Sequence, residues 1–183
     1  LGWMHGAYEK AKAGDGQVLL VEGEAGIGKT RLVDEFVGQL RQDGEDVNFL
    51  FGAYPPGGAA TASGAFSAAY REQFGAEGLE GTLGDYLKVT PLLVPAFAAL
   101  LRGDAPPKDA EPLTKDSLQT VFVHATRAVA AERTTIVLID DLHFAPEDGR
   151  ALFSSLALAV PDHRILLIGT MRPGVPEAWT SDL

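Results

Sequence analysis

Two kinds of hydrophobic pattern alternate along this chain. Residues 17–21, 136–139 and 165–168 form short, almost wholly apolar runs, which are typical of strands buried on both faces of a parallel sheet. A further strand is predicted near residue 49, where Val47, Phe49 and Phe51 occupy alternate positions. Each run is short and bounded by turn-forming residues, which favours strands over buried helices.

Between these runs, apolar residues recur at helical spacing. The pattern predicts helices over residues 3–13, 32–40, 66–74, about 82–89, about 95–102, 118–129 and near 152–156. Thr114 is a predicted N-cap, and segments 52–64 and 102–112 are predicted loops. Strands that alternate with helices predict a three-layer α/β fold around a mainly parallel sheet.

Composition narrows the class of protein. A length of 183 residues suits one domain, so we interpret residues 1–183 as a single domain. The formal net charge of −10 disfavours direct contact with nucleic acid or anionic lipid. No apolar stretch approaches the ~20 residues of a membrane span, so a cytoplasmic location without membrane contact is expected. Because the chain starts with Leu1, we interpret it as a fragment of a longer protein.

Residues 23–30 carry the most specific motif. They read Gly-Glu-Ala-Gly-Ile-Gly-Lys-Thr and match the phosphate-loop pattern G-x-x-x-x-G-K-[ST], between a predicted strand and a predicted helix. Glycines let successive backbone amides turn toward a phosphate, and the helix N-terminus adds partial positive charge. Lys29 is placed to reach the β- and γ-phosphates, and Thr30 offers a hydroxyl to Mg²⁺. An ordinary glycine-rich turn is the alternative, but such a turn has no use for Lys-Thr.

Two adjacent acids close the run 136–139. A carboxylate at the end of an apolar strand is costly unless a cation or hydrogen-bond donors meet it. We expect Asp140 to hold Mg²⁺ through water and Asp141 to orient or activate an attacking water. The alternative is that the pair only caps the following turn.

Polar residues also follow the last apolar run. In a parallel sheet the carboxyl ends of the strands line the ligand crevice, so Thr170 and Arg172 are expected to face a γ-phosphate. The alternative for Arg172 is a solvated loop residue. His143 either contacts Asp141, senses the nucleotide state or is only a turn residue, and the loop at Tyr54 either approaches a nucleotide or is a normal turn.

Residues 23–30, 136–145 and 166–173 together resemble the signal-transduction ATPases with numerous domains (STAND), a branch related to the AAA+ ATPases, and in particular the AAA-type module of large bacterial regulators. Members usually read Asp-Asp-Leu-His-Trp-Ala-Asp, where this chain has Phe144 for Trp and Pro146 for the last Asp. The resemblance implies that Arg172 senses a γ-phosphate. It also implies that a fifth strand and a helical lid lie beyond residue 183.

The implied strand order places the first strand beside the strand near 165, the strand near 137 next, and the strand near 49 at the edge. The implied function is Mg²⁺-dependent ATP binding and slow hydrolysis to ADP, used as a nucleotide switch in a bacterial signalling or regulatory protein. Linked regulatory or effector domains and nucleotide-dependent self-association are the expected partners.

The residues assigned to this function divide into three groups. Catalysis is assigned to Lys29, Asp141 and Arg172, and metal binding to Thr30 and Asp140. Nucleotide binding is assigned to Gly23, Glu24, Ala25, Gly26, Ile27, Gly28, Lys29, Thr30 and Arg31. One alternative is a small-molecule P-loop kinase, but the sequence has no Arg-rich lid segment of the kind such a kinase would need. The other alternative is a scaffold that binds nucleotide without turnover.

Overall fold

A single parallel sheet organises the computed structural model, which describes residues 1–57, 61–75 and 77–174. Its strands are β1 (Gln17–Glu22), β2 (Val47–Ala53), β3 (Thr134–Asp140) and β4 (Ile165–Met171). The order across the sheet is β1-β4-β3-β2, and each neighbouring pair is parallel. This is the α/β fold that the sequence pattern predicts and the strand order that the family resemblance implies. The predicted fifth strand and lid fall outside the described residues and stay a prediction.

Seven helices connect and cover the strands in the described ranges. They are α1 (Gly2–Lys12), α2 (Lys29–Gln42), α3 (Gly64–Phe74), α4 (Leu79–Tyr86), α5 (Val94–Arg102), α6 (Lys115–Glu132) and α7 (Glu147–Leu158). Short 3₁₀ turns lie at Pro91–Leu93 and Leu142–Phe144. Thr114 caps α6 as predicted, because its hydroxyl accepts from the backbone N–H of Ser117. No helix in the described part of the chain is long and apolar enough to cross a bilayer.

The sheet separates two hydrophobic cores, which gives the predicted three layers. Side chains alternate along β3, so Ile136 and Leu138 pack with α1 and α2 while Val137 and Ile139 pack with the helices on the other face. Every residue of β3 and of β4 is buried. The two central strands are therefore rigid supports for the residues at their carboxyl ends.

The edge strand β2 differs from its sequence pattern. Val47 and Phe49 are only half-buried and Phe51 is exposed, whereas Leu50 and Gly52 on the opposite face are buried. The reason is the close approach of α3 to that face. A side chain at Gly52 would overlap the backbone carbonyl of Ala65 in α3, so the helix can pack there only because residue 52 has no Cβ.

This contact predicts opposite effects for two glycine substitutions. Gly52→Ala must push α3 away from the sheet, so we expect a loss of about 1–3 kcal/mol in the free energy of unfolding. Gly38→Ala is the matched control, because Gly38 lies inside α2 with nothing within 4 Å of an added Cβ. We expect that change to stabilise the chain by roughly 0.5–1 kcal/mol. Urea unfolding of both variants measures the difference, and equal effects would contradict the close approach.

Candidate functional site

The loop between β1 and α2 has the backbone conformation of an anion cradle. Gly26 and Gly28 have φ values of +75° and +96°, in the left-handed region that favours glycine. An added Cβ at either position would meet nothing within 4 Å. Glycine is therefore favoured at both positions by the backbone conformation and not by a lack of space. Gly28 is the N-cap of α2, and the helix begins at Lys29. The loop therefore directs the positive end of the α2 dipole toward its concave side.

The side chain of Lys29 is held across this loop by carbonyl groups of the loop backbone. Its Nζ donates to the carbonyl oxygen of Gly23 at 2.7 Å and to that of Glu24 at 3.1 Å. These contacts keep the ammonium group at the loop although no carboxylate in the described residues forms an ion pair with it. The charge of Lys29 is thus available to an anion.

Asp140 is the most constrained acid in this region. It is the last residue of β3 and is only 6% exposed. One carboxylate oxygen accepts from the hydroxyl of Thr30 at 2.7 Å, and the other accepts from the hydroxyl of Thr170. Two hydroxyl donors thus stabilise a buried charge. The structure brings together Thr30 and Asp140, the two residues that the sequence assigns to a metal.

Asp141 takes a different direction from its neighbour. Its φ of 57° and ψ of 43° are left-handed, which is uncommon for a non-glycine residue and ends the strand. Its backbone N–H donates to the Thr170 hydroxyl at 3.0 Å, and its side chain is 37% exposed. The two adjacent carboxylates therefore have separate environments, one buried and one open to the cleft.

The expectation that Thr170 faces a γ-phosphate is not met. Its side chain is fully buried, and both of its hydrogen bonds go to the acidic pair. The apolar run 165–168 suggested that the strand ends before Thr170, but β4 continues to Met171 by pairing with β1. Residue 170 consequently lies inside the sheet and presents its hydroxyl to Asp140.

Arg172 is the first residue beyond β4 and is exposed. Its guanidinium lies 5.3 Å from the centre of the Phe144 ring. It lines a cleft of about 250 Å³ together with Ala25, Gly26, Gly28, Lys29, Thr30, Arg31 and Asp141. Ile27 lines a second depression, which shares Gly26, Gly28, Lys29 and Arg31 with this cleft. The predicted cations, the open acid and most of the predicted loop residues therefore converge at one edge of the sheet.

His143 lies against the same cleft. Its Nδ1 is 3.8 Å from an Asp141 oxygen, too far for a hydrogen bond, and both ring nitrogens are buried without a hydrogen-bond partner in the described residues. Burial lowers the pKa of His143 first of all, and the Arg172 and Lys29 charges lower it further, against the raising effect of Asp141. The contact with Asp141 that the sequence left open is thus electrostatic.

The other flagged residues lie outside the cleft. Tyr54 is buried, and its hydroxyl donates to the Ala62 carbonyl at 2.6 Å, so it does not face the phosphate loop. Glu147 and Asp148 occupy the first turn of α7, and Asp148 pairs with Lys115. Sequence reasoning missed the ring contact of Phe144 with Arg172, for which the only signal was an aromatic residue after His143.

The residues present fit a magnesium nucleotide. No group of three or more His, Asp or Glu side chains in the described ranges could hold a metal by itself. Mg²⁺ does not require one, since it commonly takes one or two protein oxygens together with phosphate oxygens and water. Thr30 and Asp140 supply such a pair beside the glycine loop.

A family model described as an AAA ATPase domain matches residues 4–168. An uncharacterized protein of Rhizobium meliloti (strain 1021) is 26% identical over 189 residues, an alignment that covers 94% of this chain and 18% of that protein. The chain thus spans less than a fifth of that relative. The Aeropyrum pernix ORC1 protein, solved in complex with DNA, is similar over 100% of this chain and 39% of its own, with 14% identity and a TM-score of 0.48.

The environment of His143 predicts a pH dependence of stability. Its pKa is lower in the folded chain than its ordinary value of 6.5, so the unfolded chain binds the extra proton first. The contribution of His143 to stability is therefore complete above pH ~6.5 and is lost as the pH falls through the lowered folded value. Urea unfolding measured in steps of about one pH unit between pH 8 and pH 5 should show this loss. His143→Gln should flatten the curve, because a glutamine side chain does not titrate in this range.

Proposed function

The chain belongs to the AAA ATPase domain family, and we propose that it binds ATP with Mg²⁺ and hydrolyses it slowly to ADP as a nucleotide switch. The observation that carries this proposal is the convergence of Lys29, Arg172 and Asp141 on one cleft at the carboxyl edge of the sheet. Thr30 lines the same cleft, and its hydroxyl donates to the buried Asp140 carboxylate behind it. Phosphoryl transfer requires cationic side chains, a carboxylate open to solvent and oxygen ligands for a metal ion.

Binding of the phosphates is assigned to the loop and Lys29. The N-terminus of α2 begins at this loop, where the helix dipole favours an anion, and the Lys29 ammonium lies across the same loop. Within the run 23–31, Gly23 and Glu24 act through their backbone, since their carbonyls hold Lys29. A phosphate that replaces these carbonyls gains a charge-assisted contact with the ammonium.

We assign the metal to Thr30 and Asp140. Both have the hard oxygen atoms that Mg²⁺ prefers, and the Asp140 carboxylate is already fixed by the Thr30 and Thr170 hydroxyls. When bound, Mg²⁺ neutralises developing charge on the phosphate oxygens. Because Asp140 is buried, its task is to hold rather than to exchange protons with water.

We assign water activation to Asp141. Its carboxylate is the exposed member of the pair and lines the cleft, so it can accept a hydrogen bond from an attacking water. Arg172 faces the same cleft and is assigned to the γ-phosphate, where its charge stabilises the group being transferred. An Asp that faces solvent suits water as the acceptor better than a bulky metabolite, which favours hydrolysis over a kinase.

A biological role for this domain can also be proposed. We infer that residues 1–183 form one module of a bacterial signalling or regulatory protein of the STAND type, with linked regulatory or effector domains and nucleotide-dependent self-association. The motifs quoted above support this, as does the greater length of the Rhizobium meliloti relative. The net charge of −10 supports a role without direct contact to nucleic acid, and we place the protein in the cytoplasm.

The first test removes the cation of the loop. Lys29→Ala should weaken binding of MgATP roughly tenfold to a hundredfold, because a hydrogen bond to a charged group contributes ~1.5–3 kcal/mol. Lys108→Ala is the control, as Lys108 lies in an exposed loop outside the cleft. Isothermal titration of both variants provides the affinities. Unchanged affinity in a folded Lys29→Ala variant would remove the basis of the proposal.

The second test separates the two acids. Asp141→Asn should leave MgATP affinity nearly unchanged and reduce hydrolysis by roughly 10²–10⁴-fold, because an amide cannot take a proton from water. Asp140→Asn should instead lower the affinity for the Mg²⁺ complex, since it loses charge beside Thr30. Phosphate release and titration with and without Mg²⁺ distinguish the roles. If both variants lose binding and turnover in the same proportion, the division of roles is wrong.

A further inference from the structure

Phe144 is the aromatic partner of the exposed cation in the cleft. The Arg172 guanidinium lies 5.3 Å from the centre of the Phe144 ring, within the range of a cation–π interaction. The centre of the His143 ring also lies 4.0 Å from the centre of the Phe144 ring. One aromatic ring thus contacts both the cation after β4 and the imidazole after the acidic pair.

Arg172 needs such a contact to keep a defined position. It follows the last residue of β4 and is exposed, and its long side chain has many rotamers. In the described residues its guanidinium has neither an ion-pair partner nor a side-chain hydrogen bond. The face of Phe144 is therefore the contact that orients this cation.

The ring itself is fixed by the backbone around it. Phe144 lies in the 3₁₀ turn Leu142–Phe144, and its N–H donates to the carbonyl of Asp141 at 2.9 Å. The N–H of Asp141 is held in turn by the buried Thr170 hydroxyl. Phe144 also packs against the larger of the two cores. The ring is thus tied to the same turn that presents the Asp141 carboxylate.

We propose that Phe144 is a positioning residue, whose ring presents the Arg172 guanidinium to the cleft and thereby sets how strongly the chain prefers ATP over ADP. This inference rests on the proposed function, in which Arg172 meets the γ-phosphate. Without the ring, Arg172 samples more conformations, and a γ-phosphate must order it at the cost of affinity. ADP lacks that phosphate, so its binding does not depend on the ring.

The experiment is a double-mutant cycle on this chain. Phe144→Leu keeps an apolar side chain in the core but removes the ring face, and Arg172→Ala removes the cation. Titration with a non-hydrolysable ATP analogue and with ADP, both with Mg²⁺, gives the ratio of the two affinities for each variant. We expect Phe144→Leu to lower the ratio by about two- to fivefold, the size of an exposed cation–π contact, with ADP affinity unchanged.

The cycle also identifies how the effect arises. In the Arg172→Ala background, Phe144→Leu should lower the ratio no further, because the ring then has no cation to orient. Phe144→Trp should keep or raise the ratio, since Trp provides the best face for a cation. Phe51→Leu, an exposed aromatic residue on the edge strand β2, is the matched control and should change neither affinity.

Each remaining outcome counts against the inference. If Arg172→Ala lowers the ratio but Phe144→Leu leaves it unchanged, the positioning role is wrong while the proposed function stands. If Arg172→Ala itself leaves the ratio unchanged, the γ-phosphate role fails and takes the inference with it. If Phe144→Leu weakens ADP and the ATP analogue equally, the ring is merely structural. Should Phe144→Leu not fold, a lowered ratio in Phe144→Trp overturns the inference.

Discussion

The buried carboxylate of Asp140 is the interaction on which the site depends. Its two oxygens accept hydrogen bonds from Thr30, in the first turn of α2, and from Thr170, near the end of β4. Three separate segments of the chain therefore meet at one charge. An ionised carboxylate this deeply buried is tolerated only with such donors, and each donor is in turn held in place by the cost of leaving the charge alone. The position of the glycine loop relative to the sheet follows from this triangle.

The same triangle explains why two adjacent acids have different surroundings. Thr170 donates to Asp140 and accepts from the backbone of Asp141, so its hydroxyl uses both of its capacities at the end of β3. The second bond helps to stabilise the left-handed turn at Asp141, which the strand alone would not adopt. One residue thus fixes one carboxylate inside the protein and turns the next toward the cleft.

Much of this arrangement could be predicted from the sequence, and the exceptions have physical causes. The parallel sheet and the meeting of residues 23–30 with Asp140 follow from hydrophobic periodicity and one specific motif, whereas the strand order was implied by the family resemblance. The direction of Thr170 did not, because hydrophobicity marks the apolar part of β4 but not the polar residues that continue its pairing. The buried face of β2 escaped prediction because Gly52 was selected by helix packing, which leaves no periodic signal.

The net charge of the chain and the charges inside the cleft act on an anionic ligand in opposite directions. The chain has a net charge of −10, which repels a nucleotide at long range. At physiological ionic strength this repulsion is screened beyond about 8 Å, whereas contacts inside the cleft are screened much less. Lys29, Arg31 and Arg172 all line that cleft. Lys29, however, already donates to two loop carbonyls, so a phosphate gains only the difference between its own contact and theirs. A loop that satisfies its own lysine binds nucleotide less tightly than its list of contacts suggests, and it releases the nucleotide more readily, which is what the proposed switch role requires.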